Sequence, residues 1–302
     1  MSRQNYYRYC SHRRREKIEK HRVLELVKEE RQLHSRIGVR KLLVLIGPKL
    51  KSEGIYLGRD RLFDLLREKD LLIERKRRKW VTTDSRHSRP VYPNLLMDCE
   101  LTTAHQGWVS DLTYLQTLEG TLYLSLITDA YTRKIVGWHV SPHLDTRGCI
   151  QALKKALKQL PAGVHPIHHS DRGCQYASRA YTRILKKRNC LISMTEENHC
   201  YENSKAERVN GILKHEYGLK RKWKTKSQLK KAVQQAIWLY NEKRPHMSLG
   251  YRTPQEVHSG VEKYWASNPP LSRAEQVRSG PLTKSGCLAK KNATPEIQKG
   301  IY

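Results

Sequence analysis

Acidic residues are the scarce class in this chain of 302 residues: Asp and Glu number 29 against 58 Lys and Arg, a formal charge of +29. A surplus of that size, spread along the chain, points to a polyanionic partner and names no reaction. A basic housekeeping protein of the ribosomal kind has the same composition. Long apolar runs are missing too, and none approaches the roughly 18 residues that a membrane span requires. The seven cysteines, at 10, 99, 149, 174, 190, 200 and 287, form no Cys-x-x-Cys pair. That scatter fits reduced thiols better than a disulfide framework. The N-terminus, MSRQNYYRYCSHRRREK, is basic but has no apolar core behind it, which excludes a signal peptide. The expectation is a soluble intracellular protein with no membrane partner.

Three stretches near the start have helical spacing. In 13–34 the apolar positions are Ile18, Val23, Leu26, Val27 and Leu33. A second pattern, 37–46, is closed by Gly47 and Pro48, and a third, 59–72, carries Leu62, Phe63, Leu65, Leu66 and Leu71. Short helices split by a Gly/Pro turn, with basic groups outward, predict a helix-turn-helix, its candidate DNA contacts being Arg36, Arg40, Lys41, Arg59 and Arg61. The run ERKRRK at 74–79, with Arg75, Lys76, Arg77 and Arg78, is either a solvated linker or a strip laid along phosphates.

After Pro93 the period changes to two. Strands are predicted at 108–115, 122–127 and 134–140, and short connections favour an antiparallel meander. Asp145 caps a predicted helix over 146–160, a strand over 165–170 delivers Asp171, and Ser178 starts a helix to 187. A fifth strand follows at 191–194. A helix then opens at Ser204, its N-cap, with Glu207 at capping-box spacing, and a last long helix covers 227–243. This βββαβαβα order resembles an RNase-H-like α/β domain, a mixed five-stranded sheet flanked by helices. The expected organisation is a helical DNA-binding module (1–80), a linker (81–104), a catalytic core (105–220), a helical extension (221–260) and a flexible basic tail (261–302).

Strands of such a sheet end on one side, so Asp111 and Asp171 are expected to be neighbours, with Glu207 facing them from the following helix. Three carboxylates without fixed protons make a hard-oxygen site for two Mg²⁺ or Mn²⁺ ions about 3.5–4 Å apart. Such a site handles phosphodiesters: water attacks for cleavage, a 3′-OH for joining. Ser204, Glu207, Gly211 and Lys214 share one helix face, which puts Lys214 within reach of a phosphate and lets backbone approach at Gly211. Asp129, Glu119, Glu196, Glu197, Glu202 and Glu216 are the competing carboxylates, and Asp129 is expected to order a turn with Arg133. His168, His169, Cys174, Cys190, His199 and Cys200 lack the spacing of a zinc site, and His168 is expected to pack beside the acids. Tyr240, Asn241, Arg244 and His246 either line DNA or fix the end of the last long helix. Trp108 and Trp138 read as core.

The blocks HHSDRGCQYAS (168–178), CYENSKAE (200–207) and YNEKRPHMSLGYRTPQE (240–256), with WVSDLTY (108–114), resemble insertion-sequence transposases. The resemblance is to the second reading-frame product, OrfB, of the IS-three group, kin to retroviral integrases, and covers about 36–258. It implies a DDE-type transposase in which Asp111, Asp171 and Glu207 bind the metals and Lys214 is the basic residue after the Glu. It further implies terminal inverted repeats and target DNA as substrates, a homo-oligomer on DNA, an OrfA partner supplied separately or by frameshifting, and a nucleoid-associated cytoplasmic location. Glu202 and Leu112 depart from the usual Asp and Ile. A catalytically idle DNA-binding regulator and an RNase-H-like nuclease are the alternatives. The first predicts salt-sensitive binding without metal-dependent nicking, the second cleavage without joined ends.

Overall fold

The structure, a computed structural model, describes residues 2–73, 91–97, 99–196 and 203–260. The basic strip with Arg75, Lys76, Arg77 and Arg78, residues 81–90 and 98 of the expected linker, Glu197, His199, Cys200, Glu202 and the tail from 261 lie outside the described residues.

Three helices come first: α1 (Arg3–Leu33), α2 (Val39–Ser52) and α3 (Arg59–Glu68). Val23, Leu26 and Val27 of α1 meet Leu42, Ile46 and Leu50 of α2 and Leu62, Leu65 and Leu66 of α3 in one apolar cluster. The expected break at Gly47–Pro48 is not there, because α2 runs through both residues. An internal proline costs about 3 kcal/mol. Leu42, Ile46 and Leu50 share one buried face, and each such burial is worth roughly 1.5–3 kcal/mol. The chain turns instead at Gly54, whose φ of +73° suits glycine, and Ile55 N donates to the Leu50 carbonyl. At the other end, α3 stops short of 72 because Asp70 takes φ +51°. Leu71 and Leu72 still pack against the cluster from outside the helix.

The second half is a five-stranded sheet in the order β3-β2-β1-β4-β5. Its strands are β1 (Gly107–Thr117), β2 (Gly120–Asp129), β3 (Ile135–Ser141), β4 (Ile167–Ser170) and β5 (Leu191–Met194). Pairing is antiparallel from β3 to β1, as short turns demand, and parallel from β1 through β4 to β5. The parallel strands are joined through α4 (Thr146–Lys158) and α5 (Arg179–Lys187), capped by Asp145 and Ser178 as expected. These helices cover one face, over Trp108, Ile127, Val136 and Met194. Gly137 of β3 lets α4 close in, since a Cβ there would collide with the Ala152 carbonyl.

The opposite face buries Leu115, Leu122, Leu124 and Leu126 against α6 (Ser204–His215) and α7 (Lys226–Glu242). The cap of α6 differs from expectation: Asn203, not Ser204, holds that position, and no side chain caps the helix. The Asn203 amide is spent on the sheet, donating to the Ser110 carbonyl at 3.2 Å, which pins the start of α6 beside Asp111. A 3-10 turn (Met247–Leu249) and α8 (Pro254–His258) complete the described chain, α8 carrying a full capping box from Thr253 and Glu256. The three-helix module touches this half through the turn that follows α1: Ser35 Oγ donates to the Glu216 carbonyl at 2.9 Å, and His34 Nδ1 lies 3.2 Å from Tyr217 OH.

Candidate active site

Parallel register pairs Ser110 of β1 with Ser170 of β4. The residue after each is a carboxylate, Asp111 within β1 and Asp171 just past the end of β4, so the two acids are neighbours where β4 ends. Asp171 Oδ1 accepts the Gly173 N–H at 3.0 Å. A Cβ on residue 173 would lie 2.9 Å from that oxygen, so glycine serves here by its size. Asp111 Oδ1 accepts the Leu112 N–H and Oδ2 accepts the Asn210 side-chain amide, each at 2.8 Å. Asn210 lies one turn beyond Glu207 on α6.

Burial pushes the Asp111 carboxyl up to about 7. The negative charge of Asp171 adds to the rise and that of Glu207 adds a smaller share, against the lowering effect of its two hydrogen bonds. The three expected acids therefore feel one another across the end of the sheet. Glu207 itself is exposed and lines a cleft of about 790 Å³. Among the described residues no three His, Cys, Asp or Glu side chains stand ready-made around a metal position. Both oxygens of Asp111 are already occupied by N–H donors. The donor set still fits a hard divalent cation: all oxygen, triply acidic, and with one member held partly protonated for want of a countercharge.

Lys214 is half-buried in the same cleft. Burial lowers its pKa, the Asp111 charge opposing that, so the ammonium lies within the field of the acids. Arg36 and Lys41 of the helical module also line the cleft, and Lys41 is lowered to about 8 by burial and then by Arg244. Gly211 opens onto it, a Cβ there meeting nothing within 4 Å, so no close backbone approach explains this glycine. Three lining cations escaped the sequence reading: Arg208, Lys220 and Arg221. Their signal was available, Arg208 as the neighbour of Glu207 and the others in the basic run 218–224. Arg40 and Arg59 are exposed away from the cleft lining, Arg59 being paired with Asp60 at 2.8 Å. Arg61 borders a separate small hollow with Glu16 and Lys20.

Arg244 corrects the expectation of a DNA contact. It is 3% exposed. Nε and Nη2 donate to Glu216 Oε2 at 2.9 and 2.7 Å, and Nη1 lies 2.9 Å from His246 Nε2. A guanidinium spent this way has no fork left for a phosphate. Its neighbours are structural as well. Tyr240 is buried edge-on to His246, and the Asn241 amide clips both the N–H and the carbonyl of Ile135 on β3. The open choice for this block thus falls to fixing the end of α7.

Asp129 is likewise a turn residue, accepting the N–H groups of His105, Tyr131 and Thr132, while Arg133 follows at φ +64°. His168 is buried between Ser110 Oγ (2.7 Å) and Tyr181 OH (2.9 Å), and burial depresses it to about 3. Trp108 is fully buried, whereas Trp138 is only partly covered, with Lys155 Nζ 4.2 Å from its ring centre.

Residues 102–200 and 188–254 match two family profiles, each described as Integrase core domain. An uncharacterized 31 kDa protein of insertion element IS600 from Shigella sonnei is 35% identical over 270 residues, 87% of this chain and 96% of that protein. The transposase for insertion sequence element IS629, also from Shigella sonnei, is 32% identical over 235 residues, covering 78% of this chain and 76% of its own. Among solved structures, the HTLV-2 integrase catalytic core domain in complex with magnesium aligns at 18% identity with a TM-score of 0.42, over 52% of this chain and 97% of that one.

Proposed function

Because the chain belongs to the insertion-sequence transposases that carry an integrase core, we propose that it cleaves the 3′ ends of its element and transfers them to target DNA at the site formed by Asp111, Asp171 and Glu207. The observation that carries this reading is that Asp111 and Asp171 directly follow the paired Ser110 and Ser170, with the Asp111 carboxyl raised by burial and by the charges of Asp171 and Glu207, beside a cation-lined cleft. Asp111, Asp171 and Glu207 are the residues that would hold divalent ions. When bound, such ions supply activation of the attacking hydroxyl and charge neutralisation at the leaving 3′ oxygen.

The chain's own residues do the positioning. Gly173 N–H and Leu112 N–H orient the two aspartates from the backbone side. Asn210 holds the remaining oxygen of Asp111, standing in for part of the missing positive charge. Lys214, Arg208, Lys220 and Arg221, with Arg36 from the helical module, hold phosphates of the DNA strand in the cleft next to Glu207. The helical module contributes duplex contacts, and residues 105–220 form the catalytic core. An OrfA-type partner and self-association at paired terminal repeats complete the active assembly.

Glu207→Gln keeps the shape and removes the charge. Incubated with labelled element ends in Mg²⁺, that variant is expected to release no new 3′ end, and cleavage at the wild-type rate would sink the assignment. Light scattering on end DNA, with and without an OrfA-type protein, is expected to show assembly dependent on that partner. A fully competent isolated monomer would refute it.

A further inference from the structure

The first half of α1 has no role in the fold. Residues 2–15 are exposed on every side, and the helix buries nothing before Val23. Between residues 3 and 20 there are seven Lys or Arg and two Glu. Their placement is not random. At about 100° per residue, Arg3, Tyr6, Tyr7, Arg13, Arg14 and Lys17 fall within one third of the helix circumference, with the small Cys10 between them and no acid among them.

Both glutamates lie on the other side. Glu16 and Glu19 border the hollow formed with Val23, Ile55 and Leu65 and are paired with Lys20 and Arg15 at 3.1 and 3.0 Å. Arg14, at the edge of the stripe, also borders a hollow beside Glu53 and Gly54, and the rest of the stripe points away from the packed helices. It carries no apolar heptad seam through which a second helix could pack, and its exposed aromatics are all tyrosines, Arg3 lying 5.9 Å from the Tyr7 ring centre.

We propose that this stripe is a second DNA-gripping surface, separate from the catalytic cleft, that lies along the phosphates of a duplex. Its length, Arg3 to Lys17, is about 21 Å, and phosphates on one strand follow at about 3.4 Å of helix axis, so four cations can each meet one. Tyrosine hydroxyls donate to phosphate oxygens between them. The absence of acids on this face removes the repulsion that a mixed surface would exert. A free helix of this length is only marginally stable in water, and neutralising its clustered cations on a polyanion relieves their mutual repulsion. The transposition reading enters only in naming duplex DNA as the polyanion.

The test measures binding of the full-length protein to a labelled random-sequence duplex in EDTA, where no strand chemistry occurs, over a range of salt. The variant Arg3→Gln/Arg13→Gln/Arg14→Gln/Lys17→Gln touches only exposed side chains. Its slope of log K against log salt is expected to be shallower than wild type by about 3–4, at roughly 0.9 per phosphate contact. Arg8→Gln/Arg15→Gln, on the opposite side, is expected to change the slope by less than about 1. An unchanged slope in the first variant overturns the proposal, as does an equal loss per charge in the second, which would mean net charge alone. Self-association that depends on the stripe without DNA also overturns it, assigning the face to a second copy. A wild-type protein that ignores duplex DNA at every salt would instead strike the transposase reading itself.

Discussion

Replacing Asp111 with Asn should make the protein more stable as it makes it inactive. In the absence of metal, burial first and then the charges of Asp171 and Glu207 lift the pKa of Asp111 from 3.8 to about 7. A folded-state pKa above the unfolded one favours the folded state fully below pH 3.8, and that contribution is lost as pH rises through 7. At 1.36 kcal/mol per pH unit the loss is at most about 4 kcal/mol. Asp111 is partly open to solvent, which discounts it to about 2 kcal/mol. Asn is neutral throughout and nearly isosteric. The Asn210 Oδ1 has no partner in the wild-type site, so a flip of that amide lets it accept from the new side-chain NH₂ at 111. In EDTA at pH 8, Asp111→Asn is expected to melt roughly 4–8 °C above wild type. The gap should close as the pH is lowered through the wild-type titration toward 4. Adding Mg²⁺ at pH 8 should raise the wild-type melting temperature and leave the variant where it was. A variant that melts at or below wild type in chelator at pH 8 would show that the carboxylate is not strained, and the argument for a charge-starved site would fail.

Arg244→Ala strands Glu216 in a buried position and is expected to lower stability by about 3–5 kcal/mol in urea titrations; a DNA-contact role would instead leave stability unchanged and weaken binding. Gly173→Ala presses a methyl to within 2.9 Å of Asp171 Oδ1, and strand transfer should fall by up to about 10²-fold. Its urea midpoint should barely move, and an unaffected transfer rate would mean that Asp171 need not hold its present orientation.

The five strands and their flanking helices were legible because each obeys its period. Alternation marked β1 and β2, Asp145 and Ser178 capped where expected, and β5 coincides with 191–194. What failed were positions where tertiary contacts outbid local chemistry. Pro48 stays inside α2 because the apolar face continues past it to Leu50. Asn203 displaces Ser204 at the start of α6 because its amide is needed on the Ser110 carbonyl. Arg244 looked like a DNA ligand because sequence cannot report that a glutamate 28 residues earlier would enclose it. The cleft cations Arg208, Lys220 and Arg221 were missed for the opposite reason: in a chain this basic, no single Lys or Arg stands out until the fold selects a face.

The acids and the cations of the cleft solve one electrostatic problem between them. Two aspartates forced level by parallel register repel each other, and Glu207 adds to that repulsion. Neutral donors, the Leu112 N–H and the Asn210 amide, hold Asp111 without a full positive charge, and the Gly173 N–H orients Asp171. Had Lys214 formed a direct ion pair with Asp111 instead, the carboxylate would be stabilised as an anion and its pKa would fall. It is raised, so Lys214 is near enough to feel the charge but not to quench it. An Asp111 carboxyl left short of positive charge in this way gains most from a divalent cation, and the lysine keeps its donors for a phosphate. The cost is metal-free instability of a size that the Asp111→Asn melting experiment can read.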